Sequence, residues 1–200
     1  MRTAMMVATA LALCACTPAP SSTSAAPSAA TTVVSTTPAL EANGCPARAT
    51  STWDAGGGNT YSIEATSAGV NCAEARATMV IRDAHGALEQ SFSLGAADTQ
   101  VLGGAESVQD MQRRLGEWIT PAGASADSTG DLPAWETGAQ TPASGGVPFT
   151  PTLGMGRAEY QALRAQDAPM YCYETSRETG ACLAVHNGGL MEIGVQTYAG

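Results

Sequence analysis

The sequence predicts an α+β fold, mainly antiparallel β with one or two helices, stapled by two disulfides. Three observations predict it. Short runs alternate apolar and polar residues and are separated by turn-forming residues. One longer segment changes to helical spacing. Beyond residue 43 the cysteines are even in number, so all can pair. The chain has 200 residues, 44% hydrophobic and 14% charged, which suits one ordinary domain with accessories and not two independent cores. That single globular domain is expected over residues 44–200.

In chain order, Thr60 to Ala65 places Tyr61, Ile63 and Ala65 on one face and Thr60, Ser62 and Glu64 on the other, the pattern of a half-buried strand. Ala77 to Arg82 is a second strand. Asp83-Ala84-His85-Gly86 supplies turn chemistry, and Leu88, Gln90, Phe92 and Leu94 then alternate with Glu89, Ser91 and Ser93, completing a hairpin. After Gly104 the period becomes helical. Val108, Met111, Leu115 and Trp118 share a stripe, Ser107 and Asp110 match a capping box, and Pro121 stops the helix. A shorter helix is expected from Arg157 to Ala165, with Tyr160 and Leu163 inward and Pro169 closing the run. Pro169 to Thr175, Ala181 to His186 and Leu190 to Tyr198 read as a three-strand meander. Its last turn is His186-Asn187-Gly188-Gly189, where Asn-Gly tolerates the positive φ of a tight hairpin.

Pro121 to Gly156 is expected to be a long loop, rich in Gly, Pro, Ser, Thr and Ala. Loops of this length inside a compact domain tend to bind, cover or remain unfolded. Within it, Trp135 and Phe149 read as pins that hold a crossover onto the core, because aromatics bury the most apolar area per residue. Trp135 is also a candidate ligand contact.

The N-terminus speaks to address. Met1-Arg2 and the apolar run Ala4 to Leu13 have the build of a secretory signal peptide over residues 1–15, too short to span a bilayer permanently. The run ends in Leu13-Cys14-Ala15-Cys16. This segment resembles the lipobox of bacterial lipoproteins, which places an aliphatic residue three positions before the modified cysteine and a small one immediately before it. The resemblance covers the first sixteen residues and implies lipidation at Cys16, with Cys14 lost alongside the signal. It also implies a membrane anchored through palmitate-type chains, and Thr17 in place of Asp implies an outer-membrane address facing the periplasm. From residue 16 to 43 the lipidated cysteine leads a stretch of Ser, Thr, Ala and Pro whose only charge is Glu41. Such a composition cannot bury enough apolar surface to fold, so it is expected to be a tether. As a flexible coil it would reach on the order of 30 Å.

Setting aside Cys14 and Cys16 leaves Cys45, Cys72, Cys172 and Cys182, an even set in a chain sent to an oxidising compartment. If the strands around Tyr171 and Leu183 form a hairpin centred on Arg177, Cys172 and Cys182 face each other across it. Cys45 then takes Cys72. Without Cys-x-x-Cys spacing, neither a zinc site nor a redox pair is expected.

Nine basic against eighteen acidic residues give a net charge of −9. All nine bases are arginine, so no lysine exists for a P-loop or a Schiff base, and nucleic acid is a poor partner. No cofactor or metal is expected. Asp83 with His85, and His186 beside Asn187, read as turn residues and not as proton-transfer units. The Gly56-Gly57-Gly58 run lacks phosphate-cradle spacing. Arg113 and Arg114 are candidate grips for an acidic ligand. Trp53, Trp118 and Trp135 read chiefly as packing residues, any one of which could also line a sugar groove.

These features point to a lipid-anchored cell-envelope protein whose folded part binds an envelope protein or glycan without catalysing a reaction. Two alternatives stand beside it. An acidic, stapled β-rich module also suits an inhibitor of a basic wall-degrading enzyme such as lysozyme, since opposite charge speeds encounter. An envelope hydrolase could assemble a carboxylate site from Glu64, Glu74, Glu89, Glu178 or Glu192, although no local spacing singles out two of them.

Overall fold

The computed structural model describes residues 44–120, 128–143 and 148–198. The signal peptide, Cys14, Cys16, Thr17 and the tether expected over 1–43 lie outside the described residues, as does Pro121.

Strands β1 (Ala47–Asp54), β2 (Thr60–Ala68), β3 (Arg76–Arg82) and β4 (Leu88–Gly95) form one antiparallel sheet in that order. The predicted alternation holds in β2 and β3, where Tyr61, Ile63, Ala65, Ala77, Met79 and Ile81 are buried, but a bulge at the start of β4 leaves Leu88 exposed instead of inward. Asp83 initiates the β3–β4 turn, its carboxylate accepting from the backbone N–H of His85 at 2.9 Å and of Ala87 at 2.8 Å. The strand β1 is an addition to the sequence expectation. Its inward positions before Trp53 are Ala47, Ala49 and Ser51, small residues that give little hydrophobic contrast, and only Trp53 is fully buried.

Helix α1 (Val108–Ile119) packs on β1 and β2 through Met111, Leu115, Trp118 and Ile119. Ser107 caps it, accepting from Asp110 N–H at 3.1 Å. The capping box is half formed, because the Asp110 carboxylate accepts from Glu106 N–H and from two arginines instead of reaching Ser107. Val108 does not join the buried stripe; it is exposed, while Ile119 takes a core place one turn beyond Leu115.

A second antiparallel sheet has the order β5-β8-β7-β6, with β5 at Phe149–Pro151, β6 at Met170–Glu174, β7 at Thr179–His186 and β8 at Gly189–Thr197. The predicted three-strand meander is therefore β6-β7-β8. Asn187 and Gly188 supply its tight turn at φ 52° and 83°. The stretch read as a single long loop over 121–156 is not wholly irregular: it carries a 3₁₀ turn at Thr129–Asp131 and the strand β5. Pairing of β5 needs Gly194, since any Cβ there would strike the Thr150 carbonyl and the Phe149 ring. Helix α2 (Arg157–Gln166) ends as Asp167 turns into the left-handed region at φ 49°.

Both disulfides are formed, Cys45–Cys72 and Cys172–Cys182. Cys172 and Cys182 are direct partners in the β6–β7 register.

Among the described residues, two hydrophobic clusters share the second sheet. Tyr171, Tyr173, Ala181 and Leu183 point toward the first sheet and α1. Met170, Cys182, Ala184 and Ile193 point the other way, onto Leu132, Phe149, Met155, Tyr160 and Leu163. This explains why β6 and β7 read as almost continuous apolar runs and not as alternating ones. Trp53 stacks near Tyr61 and Tyr171, with ring centroids 5.6 and 5.5 Å away, and joins the two sheets. The Trp118 indole N–H donates to the Glu174 carbonyl at 2.9 Å, fastening α1 to β6.

Candidate functional site

The face of the first sheet turned away from the core is built from short hydroxylated residues. Strand register aligns Thr50 with Glu64 and Val80, and Thr52 with Ser62 and Arg82. Short side chains between longer ones leave a groove of about 380 Å³, lined by Thr50, Thr52, Ser62, Glu64, Val80 and Arg82. That volume lies within the range of small-ligand sites. The hydroxyls of Thr50, Thr52 and Ser62 make no hydrogen bond among the described residues. Each thus retains a donor and two acceptor lone pairs for a ligand or water. Glu64 is paired with Arg48 along one side. Arg82 is exposed and donates only to the Gly86 carbonyl, at 3.3 Å, and has no carboxylate partner among the described residues.

An open cleft of about 610 Å³ lies at another place, between the Asn71–Glu74 and Gly104–Glu106 segments. Glu74 accepts from the Asn71 side chain at 2.8 Å, and neither Glu74 nor Glu106 is ion-paired among the described residues. The Cys45–Cys72 bridge fastens its wall.

The residues singled out from sequence are not brought together. Arg113 pairs with Asp110 and Glu117 on the surface of α1. Arg114 pairs with Asp110 and donates to the carbonyls of Val101 and Gly103 at 3.1 and 2.9 Å, so it clasps the loop before the helix. These hydrogen bonds from Arg114 and Arg113 hold the Asp110 carboxyl down at about 2. Trp135 belongs to the opposite cluster. It is half-buried, packs edge-on against Tyr160 with ring centroids 5.4 Å apart, and donates to the Ala139 carbonyl. Phe149 is buried beside it. Trp53 and Trp118 are buried packing residues.

His85 sits in the exposed β3–β4 turn, and His186 bonds only to the Gln166 side chain among the described residues. The five glutamates considered as a carboxylate site are also dispersed. Glu64 lines the groove, Glu74 the cleft, Glu89 is exposed on β4, Glu178 lies in the β6–β7 turn and Glu192 on β8. Gly56, Gly57 and Gly58 form a turn with φ of 75°, 62° and 85°. No group of three or more metal-ligating side chains occurs among the described residues.

A polar cluster absent from the sequence reading ties the 128–131 segment to the end of α2. The Ser128 hydroxyl donates to Asp167 at 2.6 Å and lies 3.2 Å from Asp131, while buried Thr129 donates to the Leu163 carbonyl at 2.8 Å. Its members are separated by nearly the length of the crossover, and no local spacing announces them.

No protein-family model, curated protein or solved structure matches this chain.

Proposed function

We propose that the chain is a lipid-anchored cell-envelope protein whose folded domain binds an envelope component without chemically transforming it. The observation that carries this proposal is the pairing of Cys45 with Cys72 and of Cys172 with Cys182. Structural disulfides belong to oxidising compartments. That pairing leaves Cys14 and Cys16, of which Cys16 follows small Ala15 and lies where a lipobox-type signal would place its modified cysteine.

A second proposal, inhibition of a basic wall-degrading enzyme, is favoured by the net charge of −9 and by Glu74 and Glu106 in the stapled cleft, neither of which is ion-paired among the described residues. Mass spectrometry of the protein recovered from membranes tests the anchor. Diacylglycerol on Cys16 is expected, and Cys16→Ser should appear in the soluble fraction. A processed terminus elsewhere without lipid would overturn it. Charge reversal of Glu74 and Glu106 to arginine should abolish inhibition under the second proposal and leave envelope binding intact under the first.

A further inference from the structure

We infer that the groove on the outward face of the first sheet binds a glycan strand bearing carboxylates, recognised through Thr50, Thr52, Ser62 and the Arg82 guanidinium. This deepens the proposed envelope-binding function and rests on it. The groove mixes the hydroxyls of Thr50, Thr52 and Ser62 with apolar surface from Val80, Ile63 and the threonine methyls, a lining that suits the alternating C–H and O–H faces of a sugar. A polyhydroxylated ligand can exchange its water hydrogen bonds for bonds to three side chains that have none among the described residues. Charge selects further. Arg48 is neutralised by Glu64, and Arg113 and Arg114 by carboxylates on α1. Arg82, at the end of the Thr52–Ser62 row, has no such partner among the described residues. A guanidinium grips a carboxylate through a fork of two parallel N–H bonds, the strongest polar contact this surface can offer.

In a chain of net charge −9, the outward face of β1 to β3 is locally balanced. Arg48, Arg76 and Arg82 offset Asp54 and Glu64 there, so these three strands are less acidic than the chain as a whole. The hydroxyl rows supply the length of a strand-shaped site and Arg82 supplies its preference for acid sugars.

The test uses the full chain, taken from whichever cell fraction holds it, with two probes of equal length. One is a muramyl oligosaccharide freed of peptide, whose alternate sugars carry a lactyl carboxylate. The other is a chitin oligomer, with the same linkages and acetamides but a free 3-hydroxyl where the muramyl sugars carry the lactyl ether, and so no carboxylate. Titration calorimetry should show the muramyl probe binding at least tenfold more tightly. Arg82→Gln should erase that preference while keeping the thermal midpoint, Arg82→Lys should restore part of it, and Ser62→Leu should block both probes by filling the groove. Equal affinity for the two probes, no binding by the wild-type chain, or an unchanged preference in Arg82→Gln would each overturn the inference. The Cys16 lipid measurement is independent. Lipidated protein that ignores both probes would sink the groove and leave the anchor standing, and unlipidated protein that binds them would do the reverse.

Discussion

Asp110 shows how one side chain organises a helix start. It lies in the first turn of α1, where a negative charge complements the helix dipole, and it gathers Arg113, Arg114 and the Glu106 N–H. Its carboxyl ionises near 2 in the folded chain, below the ordinary 3.8. The folded state therefore binds fewer protons than the unfolded one. The stabilisation is complete above about pH 4 and is lost as pH falls through about 2. Thermal melts of Asp110→Asn should consequently show a flatter pH dependence between pH 5 and 2 than the wild type, and parallel curves would contradict the assignment. Ser107 as the cap was legible in the sequence because capping is local. The employment of Arg114 was not, since the carbonyls of Val101 and Gly103 reach it only after the preceding loop has folded back.

Elements with strong contrast between their faces were readable one by one. β2, β3 and the helices fall where their periodicity puts them, and the β6–β7 register that joins Cys172 to Cys182 follows from the symmetry of the pair about Arg177. β1 and β5 were not readable. The first hides behind alanine and serine, and the second is three residues long and depends on the absence of a side chain at Gly194. The groove was equally hidden, because it exists only when three strands come into register. The two staples constrain different lengths of chain, with sequence separations of 27 and 10. In the chain-entropy account, the longer loop gives the larger stabilisation, by about 1 kcal/mol. Denaturant titration of the Cys45→Ala/Cys72→Ala and Cys172→Ala/Cys182→Ala double variants should show the former as the less stable. The reverse order would mean that packing around buried Cys182 outweighs the loop term.

On the scale of the whole molecule, the second sheet serves two interiors at once, and the tyrosines report how tightly these are closed. Burial pushes all five phenols upward. Tyr160 and Tyr173 rise to about 12, and Tyr171 goes further. Because the folded chain favours the neutral phenol, this stabilisation is complete below about pH 10 and disappears as pH rises through about 12. An alkaline absorbance titration of the native protein should show Tyr160, Tyr171 and Tyr173 still neutral at the free-tyrosine midpoint of 10. Later ionisation should accompany loss of the near-ultraviolet dichroism. Any of these three titrating at 10 in the folded protein would place that residue in water.

The double duty of β7 constrains how the chain can err. Cys182 and Leu183 are neighbours in sequence but face opposite interiors, beside a register shift in the β7–β8 ladder. A slip of one residue would exchange the contents of the two compartments, forcing Ala184 into the space shaped for Leu183 and pulling the sulfur of Cys182 away from its mate. Covalent closure of that hairpin therefore acts as a proofreading device, admitting only the alignment in which both compartments fill correctly.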